Sequence, residues 1–242
     1  MQKHSEIVIL GSGLIGLSTA LLLERYGLES IIIDKSPMNL LKSNKDRRTT
    51  AISQGSARIY EEIGVWKDLV KHSQPIYKIK VTEGIEVDGL TFNDDMTEEG
   101  VMGYIVENKF IKRFLLEKVL KSSLIKMYSG TLVKGLKNLK NKNLELKTEN
   151  GTTTCNLLIG ADGRNSNTRK IGSFKYLYKN YNQNAYVFNI LHKKPHKGMA
   201  LERFFSSGPL AILPMKTSKG NQSSVVFTVD ADITFKNRSS FI

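Results

Sequence analysis

The chain opens with an apolar run that leads into three regularly spaced glycines. Residues 7–10 precede G-S-G-L-I-G, and a helical pattern of apolar residues follows. In such a unit Gly11 permits a tight turn out of a strand, Gly13 leaves room for a ligand beside the backbone, and Gly16 lets the helix pack against the sheet. The free N–H groups and the dipole at the helix start favour a phosphate. The pattern therefore predicts a phosphate-binding strand–turn–helix unit.

A second apolar run ends in an acid. Residues 30–33 read S-I-I-I, and Asp34 follows them, 23 positions after Gly11. This is close to the spacing of roughly 20 residues at which a carboxylate holds a ribose hydroxyl in dinucleotide-binding units. Strand, helix, second strand and acid together predict dinucleotide binding. The glycines alone would also suit a glycine-rich turn in an unrelated α/β protein.

Length and composition are those of a globular protein. The 242 residues, 40% of them hydrophobic and 24% charged, suffice for one large or two small domains. Cys155 is the only cysteine in the sequence, so no intrachain disulfide can form, and we expect it to be a small buried residue of a strand. With no secretion-signal pattern at the N-terminus, these features favour a reducing, cytoplasmic location.

The net charge of +13 favours a negatively charged partner. The basic residues are 27 lysines and nine arginines, scattered without interleaved aromatics. Because nucleic-acid readers use arginine heavily for bidentate contacts, we predict no nucleic-acid partner. Weak attraction to an anionic membrane surface stays open beside a merely compositional excess of lysine. Residues 83–99 hold seven acids and are expected to form a solvated strand-and-turn excursion.

Apolar periodicity assigns elements along the first part of the chain. Helices are predicted over residues 13–26, 50–60, 61–70 and from Asn108 onward. Strands are predicted over residues 30–34, 76–93 and 101–106, and within a hairpin whose turn is Asn150-Gly151.

After Gly163 helical periodicity disappears and strands follow one another, at about 185–191, 199–205, 209–213 and 223–229. The fold class predicted is α/β. A Rossmann-like dinucleotide-binding domain with a parallel sheet is assigned to residues 1–75 and 101–172. A mostly antiparallel β-sheet, the candidate substrate domain, is assigned to residues 76–100 and 173–242.

Two further stretches carry candidate ligand contacts. Residues 46–53 read D-R-R-T-T-A-I-S, and a basic residue at such a loop-to-helix junction can pair with phosphates. Residues 157–166 read L-L-I-G-A-D-G-R-N-S. There an apolar strand enters a glycine-rich turn, Asp162 can accept a hydrogen bond from a hydroxyl or an amide, and Ser166 can cap a short helix. Alone, Asp162-Gly163 would be a simple turn.

Together these residues resemble the flavoprotein aromatic hydroxylases of the para-hydroxybenzoate hydroxylase type, and most closely their ubiquinone-biosynthesis hydroxylases. The matching segments occur in the family's order over nearly the whole chain. They are G-S-G-L-I-G at 11–16, R-x-x-A-I at 48–52, I-G-V-W at 63–66, G-Y-I-V-E-N at 103–108, I-G-A-D-G-R-N-S at 159–166 and F-F-S-S-G-P-L-A-I-L-P at 204–214.

The resemblance implies FAD rather than NAD as the bound dinucleotide, with NAD(P)H as a transient reductant. It implies that Asp34 holds the adenosine ribose, that Arg48 lies near the pyrophosphate and ribityl chain, and that no metal is needed. The catalytic residues stay unassigned. The cofactor contacts predicted in this way are Gly11, Gly13, Leu14, Ile15, Gly16, Asp34, Lys35, Arg48, Asn108, Asp162 and Gly163.

The reaction implied is hydroxylation of an aromatic, polyprenylated precursor of ubiquinone with NAD(P)H and O₂. Such a substrate also implies peripheral contact with the inner membrane or with a ubiquinone-biosynthesis complex. His192 and His196 are four positions apart, but Pro195 disfavours a helix there. We therefore expect exposed loop histidines instead of a metal pair.

One departure from the family is evident. The family's second FAD motif, G-D-A-x-H, has no counterpart, since the sequence contains no Gly-Asp dipeptide. We therefore expect a C-terminally truncated or split chain. Three readings remain: a ubiquinone-type hydroxylase, another FAD-dependent oxidoreductase, and an inactive or half-chain FAD-binding fragment.

Overall fold

The structure, a computed structural model, describes residues 3–140, 143–217 and 221–232. The chain divides into two compact units, each built from separate stretches of sequence. The first comprises Met1–Asp46, Gly55–Lys71 and Asn108–Tyr176, and the second comprises Arg47–Gln54, His72–Glu107 and Leu177–Ile242.

The described residues form fifteen strands and six α-helices, numbered here in chain order. The strands are β1 (Lys3–Leu10), β2 (Ser30–Asp34), β3 (Thr49–Ile52), β4 (Ser73–Ile76), β5 (Lys78–Glu83), β6 (Leu90–Asn93), β7 (Gly103–Glu107), β8 (Ile125–Ser129), β9 (Val133–Asn138), β10 (Leu144–Thr148), β11 (Gly151–Gly160), β12 (Gln183–His192), β13 (Met199–Phe205), β14 (Gly208–Met215) and β15 (Asn221–Asp230). The helices are α1 (Leu14–Arg25), α2 (Met38–Leu41), α3 (Gln54–Glu62), α4 (Trp66–Leu69), α5 (Asn108–Lys121) and α6 (Asn167–Ile171).

The first unit contains a sheet with strand order β8-β2-β1-β11-β10-β9. The first four of these strands are parallel, and β10 and β9 continue the sheet antiparallel. Residues 7–10 of β1 and 31–33 of β2 are buried as continuous apolar runs, as expected of strands covered on both faces. Helices α1 and α5 pack against each other. The parallel order brings the carboxyl ends of β1, β2, β8 and β11 to one edge.

The second unit contains two sheets. One has the order β12-β15-β14-β13-β5-β6 and is antiparallel except where β13 runs parallel to β5. The other is the antiparallel sheet β3-β7-β4. The four strands predicted after Gly163 are therefore present, and most of their pairing is antiparallel as expected.

The helix predicted over residues 50–60 is wrong in its first part. Thr49–Ile52 is strand β3, paired with β7, and the helix begins at Gln54. The β-branched side chains of Thr49, Thr50 and Ile52 fit a strand better than a helix. The predicted helix over 61–70 reduces to Trp66–Leu69, because the chain turns at Gly64, whose φ is +69°.

The hairpin predicted at Asn150-Gly151 is confirmed, since β10 and β11 pair antiparallel across it. Cys155 is completely buried in β11, also as expected, and burial raises the pKa of its thiol to about 11. The expectation of exposed loop histidines is confirmed in part: His196 lies in the loop after β12, but both histidines are half-buried. His192 ends β12, is half-buried, and places Nε2 3.0 Å from the Ser223 hydroxyl.

The end of strand β11 has no strand partner on one side in the described chain. β10 pairs with residues 151–155 of β11, whereas residues 157–160 pair with β1 alone among the described strands. Leu157 in that stretch is 51% exposed. An unpaired strand edge with an exposed apolar side chain is a template for further strand pairing.

No helix of the described residues is long and apolar enough to cross a bilayer.

Candidate functional site

A cavity of about 270 Å³ lies where the parallel strands of the first unit end. Its walls come from the loops that follow β1, β2, β8 and β11. The carboxyl edge of a parallel sheet is the usual place for a ligand site in α/β proteins, because side chains and backbone groups from several loops converge there. The cavity therefore lies where the sequence predicted a nucleotide.

Two of the three motif glycines make close packing possible. Gly11 has a φ of +104°, and a Cβ there would lie 2.5 Å from the carbonyl oxygen of Ala161. A Cβ on Gly16 would overlap the carbonyl oxygen of Gly11. The backbone bonds Gly11 N–H to Ile33 O and Ala161 N–H to Leu10 O, both at 2.8 Å, fix the same junction. The first motif and the G-A-D-G turn thus pack directly against each other.

Gly13 is different, because it faces open space. No described atom lies within 4 Å of the position that a Cβ would occupy, and Gly13 lines the cavity. It is also the N-cap of α1, with no side-chain cap hydrogen bond from the described residues and no acid in the first turn. The first N–H groups of a helix have no partner inside the helix. This end of α1 is therefore suited to an anionic group.

Asp34 is held at the end of β2 by hydrogen bonds from Ser12 and Ser36. Its Oδ2 accepts from the backbone N–H of Ser12 at 2.6 Å and from the Ser12 hydroxyl at 2.7 Å. Its Oδ1 accepts from the backbone N–H of Ser36 at 2.7 Å. Burial raises the pKa of Asp34, but these hydrogen bonds outweigh burial and leave the pKa below its ordinary value. The carboxylate is therefore ionised, oriented and able to accept from a hydroxyl in the cavity.

Asp162 lines the cavity from the loop after β11, and Ser166 follows it in the same loop. Oδ2 of Asp162 accepts from the backbone N–H and the hydroxyl of Thr168, both at 2.9 Å. The Ser166 hydroxyl caps α6 by accepting from the N–H of Arg169 at 3.1 Å, as the sequence predicted. Burial raises the pKa of Asp162, but hydrogen bonds from Ser166 and Thr168 lower it by more. The pKa therefore lies below its ordinary value, and the carboxylate is ionised.

The predicted cofactor contacts fall into three sets. Six of them line the cavity together: Gly11, Gly13, Asp34, Lys35, Asp162 and Gly163. Leu14 and Gly16 lie in the first turn of α1, where Gly16 is buried against Gly11. Ile15 is 72% exposed and lines a second cavity of the same unit, of about 940 Å³, that also reaches Asp162 and Gly163.

Arg48 and Asn108 are not part of the cavity lining. Asn108 begins α5 in the first unit, and its side-chain amide donates to Asp46 Oδ2 at 3.5 Å. Arg48 is exposed and belongs to the second unit, directly before β3. Their predicted contacts with a cofactor are therefore left as predictions.

Several lining residues were missed by the sequence analysis. Thr131, Leu132 and Val133 follow β8, and Asn165 and Asn167 follow the G-A-D-G turn. The Thr131 N–H donates to the carbonyl oxygen of Asp34 at 2.8 Å. One signal was available: an apolar stretch, 124–128, leads into Gly130-Thr131, and strands that end at the same sheet edge bring their following loops together.

The donor set fits a dinucleotide. An uncapped helix start beside an open Gly13 suits a phosphate, and an ionised, oriented Asp34 suits a ribose diol. In the described residues no group of three or more His, Cys, Asp or Glu side chains is placed to hold a metal ion.

The model of the FAD binding domain family matches residues 4–240 of this sequence. The chain belongs to that family. FAD is therefore the dinucleotide of the family, as the sequence resemblance implied.

Curated relatives of this FAD-binding chain include ubiquinone hydroxylases. It is 32% identical over 232 residues to UbiL of Rhodospirillum rubrum, a match covering 96% of this chain and 53% of UbiL. It is 29% identical to UbiM of Neisseria meningitidis, over 96% of this chain and 51% of UbiM. The chain thus spans about half the length of these relatives.

Solved structures share the fold of this chain at low identity. PqsL of Pseudomonas aeruginosa superposes with a TM-score of 0.80 at 16% identity, over 95% of this chain and 62% of PqsL. The p-nitrophenol 4-monooxygenase PnpA of Pseudomonas putida gives 0.77 at 15%, over 97% of this chain and 60% of PnpA. The predicted fold class, a Rossmann-like α/β domain with a largely antiparallel sheet, is confirmed.

Proposed function

We propose that the cavity at the carboxyl edge of the first sheet holds the adenosine and pyrophosphate of FAD. The observation that carries the proposal is the convergence of Gly13, the uncapped start of α1 and the ionised Asp34 around one space. In this arrangement the pyrophosphate lies over residues 11–16 and Asp34 accepts from the ribose hydroxyls. Lys35, Asp162 and Gly163 line the same space and complete the contacts.

The remaining predicted contacts extend this proposal. Backbone N–H groups of Leu14 and Ile15 belong to the first turn of α1 and would donate to the phosphates. Arg48 would neutralise phosphate charge, and Asn108 would hydrogen-bond the cofactor beyond the pyrophosphate. Support for these two is the resemblance alone, because neither lines the cavity.

The reaction proposed for the whole protein is hydroxylation of an aromatic, polyprenylated ubiquinone precursor with NAD(P)H and O₂. Support comes from UbiL and UbiM, which are named ubiquinone hydroxylases and match nearly all of this chain. Reduced FAD supplies the chemistry by activating O₂ for transfer of one oxygen atom to an electron-rich ring. The sheet of the second unit, within the predicted substrate domain 76–100 and 173–242, is proposed to face that ring. Such a substrate favours peripheral membrane contact.

The residues of this chain act by binding and orientation. Asp34 fixes the ribose end, the start of α1 fixes the phosphates, and the G-A-D-G turn closes the second side. Several oriented groups hold one end of the cofactor. Placing its reacting end then costs little further conformational entropy. Holding FAD in this way requires no acid–base or nucleophilic side chain.

The first experiment tests the cofactor. The purified chain is titrated with FAD and with NAD, and flavin absorbance and fluorescence are recorded. FAD is expected to bind and to show the spectral change of a flavin moved into a protein environment. Preferential binding of NAD without a flavin signal would overturn the proposal.

The second experiment tests the reaction. NAD(P)H oxidation, peroxide release and hydroxylated product are measured with an electron-rich prenylated phenol, for this chain alone and for this chain fused to the C-terminal half of UbiL. Hydroxylation by the fusion is expected, and peroxide or no turnover from the chain alone, since reduced flavin in a site open to water would reduce O₂ to hydrogen peroxide instead of oxygenating the substrate. NAD(P)H-independent oxidation of an aliphatic substrate by the fusion would favour another FAD-dependent oxidoreductase.

A further inference from the structure

A second surface of the first unit combines cations with exposed apolar side chains. A groove of about 460 Å³ runs between α5 and the segment that follows α2. It shares no residue with the cavity assigned to FAD. The charged residues along it are Lys42, Lys109, Lys112, Arg113 and Lys121, with Glu117 as the one acid of the lining.

Three of the five cations of the groove are not neutralised by an acidic side chain. Lys42, Lys112 and Lys121 have no ion-pair partner among the described residues. Arg113 lies 3.9 Å from Glu117, and its guanidinium stands 4.6 Å from the centre of the Phe114 ring. A contact of that length between exposed groups is weak. The groove therefore presents a local excess of positive charge to the solvent.

The apolar part of the groove has a floor and an exposed lip. Leu41 and Leu116 are buried, at 5% and 3% exposure, and form the floor. Leu120 in the lining is 45% exposed, and Leu40, next to Leu41, is 59% exposed. Exposed leucines beside lysines are unfavourable in water but suited to the boundary between headgroups and acyl chains.

We propose that this groove is the surface by which the protein docks on a membrane of anionic phospholipids. The lysines and Arg113 meet lipid phosphates, and Leu40 and Leu120 enter the headgroup boundary. Nucleic acid fits less well, because four of the five cations are lysines and the floor is aliphatic instead of a stacking surface. The inference rests on the proposed function in one respect: a polyprenylated substrate resides in a membrane, which the enzyme must approach.

The experiment measures partition onto vesicles by flotation, with phosphatidylcholine alone and with about one third phosphatidylglycerol. The test variant is Lys42→Glu with Lys112→Glu. The control is Lys126→Glu with Lys147→Glu, which changes the net charge equally at exposed strand positions. The wild type is expected to bind only the anionic vesicles. The groove variant should bind at least about tenfold more weakly, and the control variant nearly as well as the wild type.

A second pair of substitutions separates the apolar contribution to vesicle binding from electrostatic attraction to the anionic surface. Leu40→Ser with Leu120→Ser should weaken the binding that survives at about 1 M salt, where screening shortens electrostatic range to about 3 Å. Equal losses in the groove and control variants would overturn the proposal, as would absence of binding to anionic vesicles. Displacement of the chain from vesicles by single-stranded RNA, with the same sensitivity to Lys42→Glu and Lys112→Glu, would assign the groove to nucleic acid instead. FAD titration and circular dichroism of each variant report the cofactor site and the fold separately.

Discussion

The three glycines of G-S-G-L-I-G differ in what a side chain would meet. Gly13 has a φ of −71° and open space where a Cβ would be. Gly13→Val is therefore expected to leave the fold intact and to abolish FAD binding, because the new side chain fills the space next to the helix start that the phosphates need. Circular dichroism and FAD titration of the same preparation measure both effects.

Gly11→Val and Gly16→Val provide the contrast. At both positions a Cβ would collide with backbone, of Ala161 and of Gly11 respectively, so these variants are expected to lose folded structure together with FAD binding. A folded Gly13→Val protein with unchanged FAD affinity would show that the turn has a structural role alone.

Asp34→Ala tests the ribose contact. We expect FAD binding to weaken by roughly 1–3 kcal/mol, the cost of leaving hydroxyl groups without a charged acceptor. Ser12→Ala is the matched control, since it removes one of the hydrogen bonds that orient Asp34 but keeps the carboxylate. Its effect on the dissociation constant should be smaller. Equal affinity of Asp34→Ala and wild type in a titration would move the ribose contact to another residue.

The lowered pKa of Asp34 predicts a pH effect on stability. Because the folded pKa lies below the unfolded value of about 3.9, the ionised group stabilises the fold above about pH 4, and this is lost as the pH falls through the folded pKa. The free energy of unfolding of the wild type should therefore exceed that of Asp34→Asn near neutral pH. The difference should shrink below about pH 4 in denaturant titrations. A gap that stays constant down to pH 2 would contradict this assignment.

The residues of the site were predictable to different degrees. Spacing alone identified Gly11, Gly13 and Asp34, because the geometry of a βαβ unit fixes those positions along the chain. Thr131 contacts Asp34 only through a backbone N–H in the described bonds, and Ser12 contacts it through its backbone N–H as well as its hydroxyl. Any residue type supplies the backbone groups. A sequence therefore carries little record of such partners, and the fold has to be known before they are found.

At the scale of elements, strand β3 shows that hydrophobic periodicity contains no information on distant pairing partners. The apolar spacing of residues 50–60 suits a helix, yet residues 49–52 pair with β7. Pairing partners more than 50 positions away decide the outcome there, and a local window does not contain them. Strands β13, β14 and β15 were predictable because each pairs with the next across a short connection.

Because one side of the end of β11 is unpaired, we predict that the chain self-associates through it. Leu157→Lys is expected to reduce this self-association, since a charge on an edge strand opposes pairing with another chain. Ile85→Lys is the control, because Ile85 is 91% exposed but lies in the turn between β5 and β6. Sedimentation velocity over a concentration series measures both. Equal effects of the two variants would show that general hydrophobicity, not the strand edge, drives association.

At the scale of the whole molecule, the two units predict where FAD protects the backbone. Hydrogen exchange should slow on FAD addition in peptides that cover 11–16, 34–36 and 161–163, all in the first unit. The peptide that carries Arg48 belongs to the second unit and should slow as well if Arg48 neutralises the phosphates. Strand β12 serves as the internal reference. Protection of β12 without protection of 11–16 would contradict the proposed site.

The pairing of β1 with β11 has a consequence for biosynthesis. Lys3 lies beside Thr153 and Leu10 beside Gly160, so β1 waits for a strand that is made about 150 residues later. At about 5–20 residues per second, the ribosome needs on the order of ten seconds for that stretch. Throughout this time the G-S-G-L-I-G turn lacks the G-A-D-G turn that packs against Gly11. Loading of the cofactor is therefore a late event, which follows the emergence of Gly163 from the ribosome.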